Sequence, residues 1–110
     1  MKTVILITDI SLTFEKLESI IKQNFNCYRP MADRLTVESE KDHLFIDFDD
    51  DMRNDYDSSV MKDTNKHFYA VLYHSDKFVE KILSLLQNYP ICVDDDHDTI
   101  LPIKEFILSK

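Results

Sequence analysis

The 110-residue chain contains no glycine. Glycine is the residue that adopts positive φ angles without steric cost and that lets a backbone approach a ligand closely. Tight turns must therefore be made by other residues, with Asn and Asp as the best substitutes. The same absence excludes glycine-rich phosphate loops, the dinucleotide-binding fingerprint and the glycine-flanked nucleophile turn, so common nucleotide chemistry is not expected.

A chain of this length with 44% hydrophobic residues is expected to bury one core, so residues 1–110 are predicted to form a single domain. The sequence has no apolar run of membrane-spanning length and no signal-peptide pattern, which predicts a cytoplasmic protein without membrane contact. Cys27 and Cys92 match no zinc or disulfide spacing. They are predicted to be free, buried thiols.

In the first half of the chain, the spacing of the apolar residues changes several times. Residues 2–8 form an apolar, β-branched run that predicts a strand buried on both faces. Residues 11–26 carry apolar side chains at three- and four-residue spacing, which predicts an amphipathic helix with a Ser or Thr as its cap. After a turn around residues 28–30, residues 34–39 and 43–49 alternate as the two strands of a hairpin.

The second half contains another strand and helix followed by short elements. Residues 67–74 predict a strand from their aromatic and β-branched content, and residues 75–87 predict a helix capped by its first residue. Residues 91–93 and 99–101 predict a short strand pair. Residues 102–109, which begin with proline, predict a last short helix.

The element order β-α-β-β-β-α-β contains two strand-helix-strand units separated by a hairpin. Crossover handedness favours a sheet of four or five strands with the helices on one face. The sequence therefore predicts an α+β, ferredoxin-like fold that ends in a short C-terminal hairpin and helix.

The formal net charge of −8 is concentrated in two short segments. Residues 47–57 contain six Asp and one Arg, and residues 94–98 contain four Asp around His97, so the rest of the chain is almost neutral. Residues 50–66 have no sustained period, and long loops in compact domains are often functional. A nucleic acid would be repelled by this charge, whereas a basic partner would be attracted.

The second acidic segment partly matches a calcium-binding loop. Asp94, Asp96, Asp98 and Glu105 occupy the first, third, fifth and twelfth positions of that pattern. The sixth position is Thr99, where the pattern requires glycine. An acidic turn between short strands is the favoured interpretation, and a calcium-binding acidic domain is an alternative.

The stretch ILITD, residues 5–9, followed by an amphipathic helix resembles the start of a response-regulator receiver domain. That resemblance implies Asp49 or Asp50 as an aspartate phosphoacceptor, assisted by a metal and a cationic group. However, the strands at 34–39 and 43–49 are joined by too few residues for the crossover helix that parallel pairing requires. A receiver-like or other small regulatory domain is therefore a second alternative.

No complete set of catalytic residues is evident in the sequence. His43, His67, His74 and His97 accompany many carboxylates, but no nucleophile is placed beside them in the sequence. We expect neither an enzyme nor a bound cofactor.

The closing stretch FVEKILSLLQNYPICVDDDHDTILPIKEFI, residues 78–107, consists of a helix, an acidic strand region and a proline-started helix. It resembles the small immunity proteins that accompany polymorphic and contact-dependent growth inhibition toxins in bacteria. The resemblance implies a cytoplasmic antitoxin that binds one cognate toxin domain, often a basic nuclease. Electrostatic steering would speed such an association independently of the resemblance.

The two acidic segments form the predicted partner-binding surface. Tyr56 is included because aromatic side chains amid charge are typical of interfaces. The predicted contact residues are Asp47, Asp49, Asp50, Asp51, Asp55, Tyr56, Asp57, Asp94, Asp95, Asp96 and Asp98. Sequence spacing leaves open whether the two segments are adjacent, and whether binding would block an active site or an exosite.

Overall fold

The computed structural model describes residues 1–56, 66–95 and 99–109, without the side chains of Arg53 and Asp55. Within those residues the fold is α+β, with a seven-stranded antiparallel sheet, three α-helices and one 3-10 helix. The elements are β1 (Lys2–Asp9), α1 (Phe14–Lys22), β2 (Asn26–Met31), β3 (Arg34–Glu38), β4 (His43–Phe48), the 3-10 helix (Asp50–Asp55), β5 (Lys66–Tyr73), α2 (Asp76–Ser84), β6 (Ile91–Asp94), β7 (Ile100–Pro102) and α3 (Ile103–Leu108).

The strands of the sheet lie in the order β2-β3-β4-β5-β1-β6-β7, and every neighbouring pair is antiparallel. The predicted hairpin of β3 and β4 and the predicted short pair of β6 and β7 are both present. The predicted number of four or five strands is wrong. β2 adds one strand at one edge, and the short pair continues the main sheet through β6, which pairs with β1.

β1 lies between β5 and β6, and its side chains alternate between two cores. Val4 and Leu6 belong to the large core on one face of the sheet. Ile5 and Ile7 pack with Phe68 in a smaller second core on the other face. The prediction that this strand is buried on both faces is therefore confirmed.

All three α-helices contribute side chains to the large core, so they lie on the same face of the sheet, as predicted. The Thr13 side chain accepts a hydrogen bond from the N–H of Lys16 at the start of α1, and the Ser75 side chain accepts one from Phe78 at the start of α2. These hydroxyls bond N–H groups that the first helical turn leaves unpaired. The buried helical side chains are Phe14, Leu17 and Ile21 of α1, Phe78, Val79, Ile82 and Leu83 of α2, and Ile103 and Phe106 of α3.

The turn predicted around residues 28–30 is instead part of β2, because the helix before it ends at Lys22. β2 is an edge strand with mostly exposed residues, so it lacks the apolar alternation by which strands are predicted. Its register with β3 shifts between Tyr28 and Met31, the stretch that contains Pro30. A proline has no N–H for the ladder and is tolerated at edges and bulges.

The segment 50–66, predicted to be a loop, begins with the 3-10 helix and ends at the first residue of β5. The 3-10 helix contacts the second face of the sheet through Met52, whose side chain packs on the smaller core. Residues 57–65 of the predicted loop lie outside the described residues.

Candidate acidic binding site

The 3-10 helix, which carries much of the first acidic segment, is fixed to β5 by Asp49. The backbone N–H of Asp49 donates to the carbonyl of Phe68 over 2.9 Å, and its carboxylate accepts from the N–H of Asp51 over 3.1 Å. The N–H of Met52 donates to the carbonyl of Asp49 over 3.2 Å. Asp49 therefore caps the start of this helix, a position that Asp favours.

The neighbouring carboxylate of Asp50 points back toward β5. One of its oxygens accepts from the N–H of Phe68 over 3.1 Å, and the other lies 3.0 Å from Nδ1 of His67. The His67 ring also contacts Phe48, with the ring centroids 5.2 Å apart. Asp50 thus joins the 3-10 helix to a strand. This structural role is sufficient to explain a carboxylate at this position.

Met52 and Tyr56 of the first acidic segment pack on the second core. The Tyr56 ring stacks on that of Phe68, with the centroids 5.3 Å apart and the planes inclined by 27°. The prediction that Tyr56 is a binding anchor stays a prediction, and in the structure its ring has this internal contact.

The hydroxyl of Tyr56 donates to a carboxylate oxygen of Asp94 over 2.6 Å, so the two acidic segments are adjacent. One residue of each segment, Asp47 and Asp94, also lies in the same row of paired residues across the sheet. Asp47 lies opposite Ala70, and Ala70 lies opposite Ile5. Ile5 in turn lies opposite Asp94. Antiparallel partners project from the same face, so Asp47 and Asp94 share that face, three strand spacings or about 14 Å apart.

The charge of Asp47 is compensated within the sheet. Nε and a terminal nitrogen of Arg34 donate to its two carboxylate oxygens over 2.7 and 2.8 Å. The guanidinium also lies over the Phe45 ring, 4.8 Å from its centroid. The hydrogen bonds to Asp47 raise the pKa of Arg34 above its ordinary value. This bidentate pair places the planar guanidinium of Arg34 beside the first acidic segment.

The predicted contact residues thus have different surroundings. Asp51 is exposed, whereas Asp49, Asp50, Asp94 and Asp95 are partly buried. The backbone of Asp95 donates to the carbonyl of Thr99 over 3.2 Å, which closes the connection from β6 toward β7. The Asp55 side chain and all of Asp57, Asp96 and Asp98 lie outside the described residues.

The two alternative sites gain no support from the described geometry. In residues 1–56, 66–95 and 99–109, no three His, Cys, Asp or Glu side chains are grouped so that they hold a metal ion. Asp94 is engaged by Tyr56, and Glu105 is exposed on α3. For the receiver-like alternative, β3 and β4 are antiparallel, and Asp50 is the acceptor for a strand N–H.

The partners of the acidic residues are distant in the chain and are not evident from the sequence. Arg34 contacts Asp47, which is 13 positions away in the chain, and His67 contacts Asp50, which is 17 positions away. The one signal for the first pair is hairpin register, since residues 34 and 47 face each other when 38 pairs with 43. No pattern in the sequence indicates the second pair.

Both cysteines are free, as predicted, but their burial differs. Cys92 is exposed, so the prediction of a buried thiol is wrong for it. Its position on β6 faces away from the large core that Ile91 and Val93 enter. Cys27 is partly buried, and burial with the nearby Glu18 carboxylate raises its pKa to about 11.

Comparisons with protein-family models, with curated proteins and with solved structures find no match to this chain. Within the part of the chain that the structure describes, no helix is long and apolar enough to cross a membrane.

Proposed function

We propose that this protein is an immunity protein, which binds and neutralises a basic bacterial toxin domain without catalysing a reaction. The observation that supports the proposal is the hydrogen bond of 2.6 Å between Tyr56 and Asp94. It brings together two acidic segments that are 38 residues apart in the chain. On the face of the sheet opposite the α-helices, a single surface would then concentrate the negative charge of the two segments.

The proposed surface has carboxylates in two roles. Asp49 and Asp50 hold the 3-10 helix in place through hydrogen bonds, while Asp51 presents its carboxylate to solvent. Carboxylates that are already held by the protein lose little freedom when a partner binds, which favours affinity. Exposed carboxylates at the rim mainly increase the association rate.

A nuclease is the toxin type that best fits an acidic surface. An enzyme that grips phosphates needs a cleft lined with Lys or Arg, and such a cleft attracts carboxylates through the same field. The proposal directs toward that cleft the face that carries Asp47 and Asp94, about 14 Å apart. Because Arg34 already compensates the charge of Asp47, the exposed Asp51 contributes more to the attraction. Occlusion of an exosite would use the same electrostatic attraction.

We also propose that the central part of the fold is ferredoxin-like. The elements β1, α1, β4, β5, α2 and β6 follow one another as β-α-β-β-α-β if the edge hairpin of β2 and β3 is treated as an insertion. Their strands lie in the order β6-β1-β5-β4, and the helices pack on one face. In this interpretation β7 and α3 are a C-terminal addition.

The direct test is to co-express the protein with the toxin domain encoded by the gene immediately upstream. We expect co-expression to restore growth and the two chains to co-purify as a complex. A toxin domain that remains active and does not bind this protein would contradict the proposal.

The contact surface is then tested by association kinetics of that complex. Asp51→Lys should slow association and reduce its dependence on salt, because it reverses an exposed charge on the proposed surface. Glu40→Lys makes the same change in charge at an exposed site in the β3–β4 turn, at the opposite end of β4, and should have a smaller effect. Equal effects of the two variants on the association rate would show that the 3-10 helix does not lie at the interface.

A further inference from the structure

Two histidines meet on the face of the sheet that the α-helices do not cover. His43 begins β4, and His74 follows the last residue of β5. Leu44 pairs with Tyr73 and both are buried in the large core, so the residues beside them project from the opposite face. The two imidazole rings are 5.9 Å apart between centroids and inclined by 69°.

Both rings are exposed, and their nitrogens differ from those of His67 in their surroundings. Nδ1 of His67 is held by the Asp50 carboxylate. Among the described residues, His43 and His74 have ring contacts only: with each other, and between His43 and Phe45 at 5.5 Å. Their imidazole nitrogens are therefore open to a ligand from solvent.

We infer that His43 and His74 form a two-imidazole binding site for a late first-row divalent ion such as Zn²⁺ or Ni²⁺. Neutral imidazole is a preferred ligand of these ions. Zn–N bonds are about 2.0–2.1 Å long, so two imidazoles on one tetrahedral ion have their centroids about 5 Å apart. The observed 5.9 Å reaches that value through a small rotation of exposed side chains, without movement of the strands.

The site uses two protein ligands, and water completes the coordination. In the described part of the chain, no third His, Cys, Asp or Glu joins a metal-binding group. Glu38 lies opposite His43 in the sheet, but its carboxylate accepts a hydrogen bond from the Tyr28 hydroxyl over 2.9 Å. His43 lies on the same face as Asp47, four residues earlier in β4, but neither histidine belongs to the proposed toxin-binding surface, so the inference does not rest on that surface.

The test is isothermal titration of the full chain with ZnCl₂ and, separately, NiCl₂ at pH 7.5, in a buffer that does not bind metal. We expect saturable binding, with the imidazole NMR signals of His43 and His74 shifting together. His43→Ala and His74→Ala should each weaken binding at least about tenfold, because either change leaves a single imidazole. Both side chains are exposed, so the variants should keep the wild-type circular dichroism spectrum.

The acidic segments and His97 are the competing locations for these ions. His97→Ala is the matched control, and it should bind Zn²⁺ as the wild type does. Excess Mg²⁺, which prefers oxygen ligands, should not displace the ion. Binding should weaken as the pH is lowered, because protons compete with the metal ion for imidazole nitrogens.

Three results would overturn the inference. They are unchanged affinity in His43→Ala and His74→Ala, loss of binding in His97→Ala, and no binding of either ion up to about 1 mM.

Discussion

Adjacent aspartates in the first acidic segment have opposite roles. The carboxylate of Asp50 accepts from a strand N–H and faces His67, whereas that of Asp51 is exposed. Composition counts the two residues equally, but only the first stabilises the attachment of the 3-10 helix to β5. Charge density therefore locates this surface without identifying which charges are available to a partner.

Asp50→Ala should destabilise the protein, and Asp51→Ala is the matched control. The first change removes the hydrogen bond between the Asp50 carboxylate and the part-buried N–H of Phe68, which costs about 1–3 kcal/mol. The second removes an exposed carboxylate and should change the unfolding free energy by less than about 0.5 kcal/mol. Urea denaturation measures both, and similar effects would contradict the role assigned to Asp50.

The two thiols should differ in their rate of alkylation. Cys92 is exposed, whereas Cys27 is partly buried with a pKa of about 11. Relative to an ordinary thiol pKa of 9.0, this reduces the thiolate fraction of Cys27 at pH 8 roughly a hundredfold. Iodoacetamide followed by peptide mass spectrometry should find Cys92 modified first in the folded protein. Equal rates after denaturation are the control, and faster modification of Cys27 in the native state would be the contrary result.

At the scale of elements, the bidentate pair of Arg34 and Asp47 joins β3 to β4. A double-mutant cycle with Arg34→Ala and Asp47→Ala should give a coupling of about 1 kcal/mol, since the pair is partly screened from water. The exposed single contact of Lys2 with Asp76, 2.9 Å long, is the control pair and should couple less strongly. A coupling energy no larger than that of the control pair would show that the contact between Arg34 and Asp47 does not stabilise the fold more than an exposed ion pair does.

Elements with a strong period could be predicted from the sequence. β1, α1 and α2 were found from continuous apolar runs, helical spacing and hydroxyl caps, because burial fixes those patterns. β2 was missed because Arg29 occupies an inward position where an apolar side chain would signal a strand. Its guanidinium lies over the Phe14 ring, 4.4 Å from the centroid, and bonds Glu18 over 3.0 Å.

The residue types of the candidate site could be predicted from the sequence, but their positions relative to one another could not. The contact between Tyr56 and Asp94 depends on β6 pairing with β1, and that pairing joins residues distant in the chain. Loop closure of this kind leaves no periodic signal in either segment. The same holds for the histidine pair, which exists because β4 and β5 are neighbours with a particular register.

For the molecule as a whole, the net charge of −8 should make stability depend on salt. The adjacent acidic segments repel each other, and this repulsion is screened as the Debye length falls from about 30 Å at 0.01 M to about 8 Å at 0.15 M. We expect the melting temperature to rise over that range of NaCl. Asp51→Lys should raise the melting temperature at low salt and reduce its salt dependence. A melting temperature that falls as NaCl is added would show that attractive pairs dominate.

Both edges of the described sheet end in strands that are poor templates for another chain. β2 contains Pro30 in an irregular stretch, and β7 has three residues, the last of which is Pro102. A proline offers no N–H to an incoming strand, and a bulge bends the edge away. Edge-to-edge pairing between copies of the chain is thereby disfavoured. Any partner must then recognise side chains on a face or at an end of the sheet, because the backbone offers little to complete.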